Sequence, residues 1–426
     1  MAIAGALRER IARALTDPEI PRQAPHLSVR VRLLVGEDGV DFAFAEGALS
    51  LASLSGPPDI EISADAEAWR KVLLVPPPPT FHAFTALDIA NPEFAVRGEG
   101  ALIARARPAL ERIFDLIATS PIAPASPVRR DLSQIRGGYT TVRAAGKTYE
   151  VYSETAGSGL PVLLLHTAGA DSRQYLDQMS DVGFAAGFKL TAVDLPFHGR
   201  SMPPRDWDGE PYTLTTALYT EWCSAIIEQV IGEPCIVVGG SMGAAMALHL
   251  AAERPDLVLG AVAVEPPFRA KGRINPFQNN VAVHGALHNG AFVRGLMSPQ
   301  SPQSGRRRAS WIYSQGAPGV YPGDLAFYSL EFDGTVTAPR IDAKRTPVAL
   351  LCGGYDYSAS PADGRQLEAL IPGAYLQIMP SLGHFPMCEH ADHFRPYLCH
   401  ALQHVVDAAN LRMGASASSA PSEIQD

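Results

Sequence analysis

At 426 residues the chain is long for one domain and comfortable for two, and its 46% hydrophobic content is that of an ordinary globular protein. A net charge of −9 argues against a nucleic-acid surface. No apolar run approaches the ~20 residues that cross a bilayer, and five cysteines without a C-x-x-C pair fit a reducing, cytoplasmic setting.

Met1-Ala2-Ile3 leads into Leu7-Arg8-Glu9-Arg10, a short amphipathic helix rather than a signal peptide. Leu27 to Leu33 alternates as a half-buried strand, and so does Asp41 to Phe44 after the Glu37-Asp38-Gly39 turn. Asp59 to Ser63 continues the alternation, and Ser63 is placed to cap a helix over Ala64 to Leu74 that carries Trp69 and stops at the Pro76–Pro79 run. Phe94 to Gly98 reads as another strand. Pro108 to Ile117 reads as a helix with Leu110, Ile113, Phe114 and Ile117 on one face. These elements predict an antiparallel sheet with a few helices, an α+β domain over residues 1–119. The Pro/Ser/Ala stretch Ser120 to Pro127 opens a linker over 120–136.

From residue 137 the rhythm changes to alternating strands and helices, the sign of a mostly parallel sheet with helices on both faces. Thr140 to Arg143 and Lys147 to Glu154 form a hairpin. Pro161–Leu165, Phe188–Val193, Cys235–Val238, Leu257–Val264, Thr346–Leu351 and Tyr375–Met379 read as strands. Leu214 to Ile231 and His390 to Ala409 read as helices, and the Ala/Ser-rich stretch 413–426 as a disordered tail.

Gly239-Gly240-Ser241-Met242-Gly243 sits between the strand Cys235–Val238 and the Ala/Leu/Met-rich helix that starts at Ala244. This G-x-S-x-G at a strand–turn–helix junction holds a serine on a strained elbow, the setting of a nucleophile. A serine needs a base and the base needs a carboxylate, in chain order Ser, acid, His. Asp356 follows its strand through Gly353-Gly354-Tyr355 and is favoured as the acid, with Glu265 in Val264-Glu265-Pro266 as competitor. His384, bracketed by Gly383 and Pro386 after the last strand, is the base. The oxyanion donors are the backbone N–H of Met242 and, in the loop His166-Thr167-Ala168-Gly169, that of Ala168.

Together His166 to Gly169, Asp194 to Ser201, the Ser241 elbow, Asp356 and Gly383-His384-Phe385 resemble the α/β-hydrolase superfamily over about residues 137 to 410. The resemblance implies Ser241, Asp356 and His384 as nucleophile, acid and base. Thr167 departs from the glycine that follows the histidine in many members. Serine at the elbow separates the chain from haloalkane dehalogenases and epoxide hydrolases, which use aspartate. Asp59 to Trp69, then Phe94 to Glu99 and an apolar helix, resemble the sterol-carrier (SCP2-like) lipid-binding domain, whose members enclose an apolar tunnel.

About eighty residues, ~266–345, separate two strands where a crossover helix would suffice, so a cap over the serine is expected. Its His288, Asn289, Trp311 and Tyr313, with His166, are the candidate substrate-binding residues. Gly146-Lys147-Thr148 lacks the earlier glycine of a phosphate loop, and no G-x-G-x-x-G opens a helix, so no cofactor is implied. His393, His400 and His404 share a helix face without H-E-x-x-H spacing, which reads as solvated rather than as a metal site, and Arg306-Arg307-Arg308 also reads as a solvated helix face. The expected activity is hydrolysis of a carboxylic ester of a small to medium, rather apolar substrate through an acyl-enzyme. C–C hydrolysis, amide or lactone hydrolysis and acyl transfer remain open with the same triad. So does a lipid-binding or transfer protein with a degenerate hydrolase domain. Monomer and homodimer are both open.

Overall fold

The computed structural model describes residues 2–51, 53, 56–118, 128–270 and 273–410, so the Ser120–Pro127 stretch and the 413–426 tail fall outside it. Two sheets organise the chain. The first contains β1 (Val29–Val35), β2 (Asp38–Ala45), β3 (Ala48–Ser50), β4 (Ile60–Ala64) and β5 (Ala95–Gly98) in the order β3-β2-β1-β4-β5. Alternation fixes which face each residue takes: Val29, Val31, Leu33 and Val35 are buried, while Arg32 pairs across the sheet with Asp41. It does not fix strand direction. β1 runs antiparallel to β2 but parallel to β4, so the sheet is mixed rather than antiparallel as expected.

The following helix spans Ala66–Val72 and is capped by Asp65, whose carboxylate accepts the Ala68 N–H at 2.8 Å; Ser63 and Ala64 stay in β4. The long helix begins at Gly100 rather than Pro108, because the Glu99 carboxylate caps Ala101 and Leu102 and the buried stripe continues through Ala104. Trp69 stacks on Phe114 at 6.4 Å, meets Phe94 edge-on at 5.0 Å and donates its Nε1–H to Leu34 O at 2.9 Å, filling the interior of this part.

The second sheet contains β6 (Arg136–Ala144), β7 (Lys147–Ala156), β8 (Leu160–Leu165), β9 (Phe188–Val193), β10 (Cys235–Gly240), β11 (Val258–Val264), β12 (Val348–Gly353) and β13 (Tyr375–Met379), ordered β13-β12-β11-β10-β8-β9-β7-β6. β8 to β13 are mutually parallel; β7 runs antiparallel to β6 and β9. Every residue of β10 and β12 is buried, as apolar strands covered on both faces must be. The closing helix is Ala391–Ala408, so His390 precedes it, and the helix Thr216–Ile226 widens into a π-turn through Ile231. No described helix is long and apolar enough to cross a membrane.

Between β11 and β12 lie the helices Gly285–Arg294, Gln303–Tyr313 and Val320–Ala326. The helix Gly285–Arg294 packs on Gly100–Ile117, the long helix of the first part. At this contact Asp115, buried, receives Arg112 at 3.0 Å and also Arg294 and Arg306. Burial alone would raise the Asp115 pKa; the three arginines outweigh it and hold the carboxyl well below its usual range. Arg294 also reaches Glu19 at 2.9 Å, Arg307 reaches Glu19 at 2.6 Å, and Arg308 reaches Asp177 at 3.1 Å. Of the Arg306–Arg308 run, expected as a solvated face, Arg307 and Arg308 are exposed while Arg306 is buried against Asp115. The sequence shows the charges but not the carboxylates brought to them from up to 288 residues away.

Candidate active site

β10 delivers Ser241 at the carboxyl edge of the sheet with φ of +51° and ψ of −107°, a strained conformation for a residue with a side chain. The turn closes tightly. A Cβ on Gly239 would lie 2.0 Å from Gly243 O, and one on Gly243 would lie 2.5 Å from Leu165 O, so both positions need glycine. Ser241 N–H donates to Val264 O at 2.8 Å, tying the elbow to β11.

His384 stands on the loop after β13, its backbone N–H held by Leu296 O at 3.0 Å. Its Nε2 lies 2.9 Å from Ser241 Oγ and its Nδ1 2.6 Å from Asp356 Oδ2. The other Asp356 oxygen accepts the N–H groups of Ser358 at 2.7 Å and Ala359 at 3.0 Å. A fixed carboxylate on Nδ1 requires the proton there and leaves Nε2 free to accept the serine proton. Glu265 takes a different place. One of its oxygens accepts the Gly353 N–H at 2.7 Å and the other has no partner. Burial, then the neighbouring Asp356, push its pKa up, which disfavours a second carboxylate charge beside Asp356.

The loop after β8 has little freedom. Thr167 N–H donates to Gln174 at 3.0 Å, Gly169 N–H to Asp324 Oδ2 at 2.7 Å and Ala170 N–H to Thr167 O at 3.2 Å, which leaves the Ala168 N–H unspent among them. Met242 is the first residue of the helix Met242–Glu253, where amides lack partners within the helix. Asp324, buried in Val320–Ala326, also receives His198 Nε2 at 2.8 Å and the Tyr212 hydroxyl at 2.7 Å. His198 Nδ1 meets Pro196 O at 2.9 Å. A carbonyl and a carboxylate only accept, so this pair of partners favours the doubly protonated, imidazolium form of His198. Burial pulls its pKa down, but Asp324 overcomes this and leaves it raised.

Of the five expected substrate contacts, the structure brings only Tyr313 to the serine. Ser241, His384, Ala168, Tyr313, Tyr321, Tyr328, Phe292 and Arg273 are among the residues around a void of about 20 Å³, room for roughly one water. Trp311 is 58% exposed and lies over Arg173: two positions from Tyr313 on one helix, it points to the opposite side. His288 is buried behind Phe292, and Asn289 lines a separate cleft with Asn279 and Gly319. His166 lies fully buried under the loop, accepting Leu195 N–H on Nε2 at 3.3 Å, and burial lowers its pKa to about 4. Tyr321 and Tyr328, seven positions apart on one helical stretch, carried a same-face signal; Arg273, in irregular chain, carried none. His393 bonds to Ser381 Oγ at 2.7 Å and His404 stacks on Tyr375, so these histidines have structural partners. Among the described residues no cluster of three or more His, Cys, Asp or Glu could hold a metal.

A family model described as alpha/beta hydrolase fold matches residues 161–391. The chain is 27% identical over 258 residues to a pimeloyl-[acyl-carrier protein] methyl ester esterase of Chromobacterium violaceum, covering 57% of this chain and 94% of that protein. Among solved structures, it resembles a thermophilic esterase from Thermogutta terrifontis with TM-score 0.53 and 20% identity, over 63% of this chain and 99% of that one. An enol-lactonase from Burkholderia xenovorans LB400 gives TM-score 0.53 and 18% identity, over 62% of this chain and 100% of that one. At these identities the structural likeness speaks for the fold.

Proposed function

The chain belongs to the α/β-hydrolase fold family, and from that premise we propose that it is a serine hydrolase cleaving a carboxylic ester of a small to medium, rather apolar substrate through an acyl-enzyme. The observation that carries this is the unbroken chain from Asp356 through His384 to Ser241, with contacts of 2.6 and 2.9 Å. Ser241 Oγ attacks the ester carbonyl as its proton moves to His384 Nε2, and Asp356 stabilises the imidazolium. The N–H groups of Met242 and Ala168 receive the oxyanion. Collapse expels the alcohol, which takes the proton from His384. Water, deprotonated by the same nitrogen, then releases the acid. The methyl ester esterase named above supports an ester over an amide or C–C bond.

Within this reading, residues 137–412 form the hydrolase domain, ~266–345 its cap, and 1–119 an SCP2-like module working in the cytoplasm. The packing of Trp69 with Phe94 and Phe114 supports a filled, structural module over an open lipid tunnel. The test is fluorophosphonate labelling and an ester panel on wild type and on Ser241→Ala, His384→Ala, Asp356→Asn and Glu265→Gln. The first three should each lose several orders of magnitude in kcat non-additively, and Glu265→Gln should be mild. Full labelling of Ser241→Ala, or a crippled Glu265→Gln beside an active Asp356→Asn, would sink the assignment.

A further inference from the structure

Two donors in the void beside Ser241 are poorly served. Arg273 Nε is buried without a hydrogen-bond partner, and the Tyr328 hydroxyl, buried with the Ser241 and Ser358 side chains beside it, makes no well-formed hydrogen bond. Arg273 spends Nη2 on the carbonyls of Tyr357 at 3.1 Å and Ser358 at 2.7 Å, and among the described residues no carboxylate forms an ion pair with it. The buried arginines at the contact between the two parts do have such partners: Arg112, Arg294 and Arg306 hold Asp115, and Arg107 holds Asp88. A half-buried guanidinium without a counter-anion leaves both its charge and a directed donor uncompensated. Arg273 and Phe292 also line a second cavity of about 560 Å³, whose other walls include Ile89 and Thr80 of the first part and Tyr357 after β12. Arg273 thus marks the junction between the closed void at the serine and a space large enough for a small organic molecule.

We propose that the substrate carries a carboxylate, received by Arg273 Nε–H and the Tyr328 hydroxyl while its ester carbonyl meets Ser241, so that the enzyme prefers acid-bearing esters over neutral ones. This rests on the ester-hydrolase reading and narrows it. The tyrosine-lined walls still accept an apolar chain between the two groups. The charged end supplies the missing counter-anion.

The experiment compares ethyl hydrogen succinate, glutarate and adipate, and acetylglycolate for an acid on the alcohol side, with their carboxamide counterparts, by alcohol or acid release. Wild type should favour at least one acid over its amide in kcat/KM. Arg273→Gln should lower kcat/KM for that acid by about 30-fold or more while leaving the amide nearly unchanged, with Arg273→Lys between them. Equal losses for acid and amide would mean that Arg273 merely clamps the Tyr357–Ser358 carbonyls, and would overturn the proposal. So would equal rates for every acid and amide in wild type. Calorimetric binding of glutarate to the Ser241→Ala protein gives a readout without turnover. It should exceed that of glutaramide and be lost when Arg273→Gln is added; binding indifferent to the arginine refutes the proposal. If neither acid nor amide is hydrolysed and Ser241 takes no fluorophosphonate while glutarate still binds through Arg273, the ester reading fails and the carboxylate site stands.

Discussion

Asp324→Asn tests how the loop after β8 is held. Three donors converge on this buried carboxylate: Gly169 N–H at 2.7 Å, His198 Nε2–H at 2.8 Å and the Tyr212 hydroxyl at 2.7 Å. An amide keeps one oxygen for Gly169, and Tyr212 can turn to accept from the new NH2. The imidazolium cannot be served. Deprotonated, His198 turns a lone pair towards either Pro196 O or the amide oxygen; protonated, it is a buried charge without its partner. Removing one partner of a buried pair costs roughly 3–5 kcal/mol, and the retained amide contacts place this variant near ~3. A shift of about 1 Å in Ala168, next to Gly169 on the disturbed Asp324 site, is enough to cost on the order of 100-fold in kcat. The sign of the pH dependence follows from the raised His198 pKa. Stability from the pair is fully present below the unfolded value of 6.5 and is lost as pH rises through the folded value. Urea titrations from pH 5 to pH 9 should therefore show the widest gap between wild type and variant at the acid end, narrowing above 6.5. Ester kinetics measured alongside should show the loss mainly in kcat. A variant with wild-type kcat and a stability gap flat in pH would refute this account.

Glu111, fully buried and facing Thr85, has its pKa raised to about 7 by burial. Between the ordinary value of 4.5 and about 7 the unfolded chain sheds this proton while the fold keeps it, so stability falls as pH rises through that window. Glu111→Gln should remove this slope and gain roughly 3 kcal/mol at alkaline pH, checked by urea unfolding at both ends of the window. Asp115→Asn leaves Arg294, Arg306 and Arg112 without their shared carboxylate and should cost ~3–5 kcal/mol. Because the group is buried, that loss should persist in molar salt, where a surface pair would be screened, as unfolding with and without salt will show.

That Ser241, Asp356 and His384 would converge was legible because each place is set by local chemistry at a strand end: glycines for a tight turn, a polar residue just past a buried strand, and a fixed order along the chain. The parallel sheet was legible for the same reason, since two-sided burial writes continuous apolar runs such as β10. Strand direction in the first sheet was not, because alternation is the same whichever way a neighbour runs. Substrate contacts were the weakest reading. Aromatics between β11 and β12 could be recognised as a group, but only the helix phase decides that Tyr313 faces the serine and Trp311 faces water. Arg273 is invisible to patterning because its meaning lies in what it lacks. Within the Arg306–Arg308 run only Arg306 departs from the solvated reading, because a charge's solvation depends on partners far away in the chain.

The Asp115 contact makes the two sheets a matched pair. A hydrolase core cut free at residue 128 would carry Arg294 and Arg306 bare, two cations shaped around an acid that is no longer there, and would open the wall formed by Thr80 and Ile89. Such a fragment should be sticky towards anions, and grafting the first sheet onto a relative should fail unless positions 294 and 306 travel with it. Descent should leave the same mark: substitutions at 115 tied to substitutions at 294 and 306, across an interval where the local sequence offers no hint of the bond.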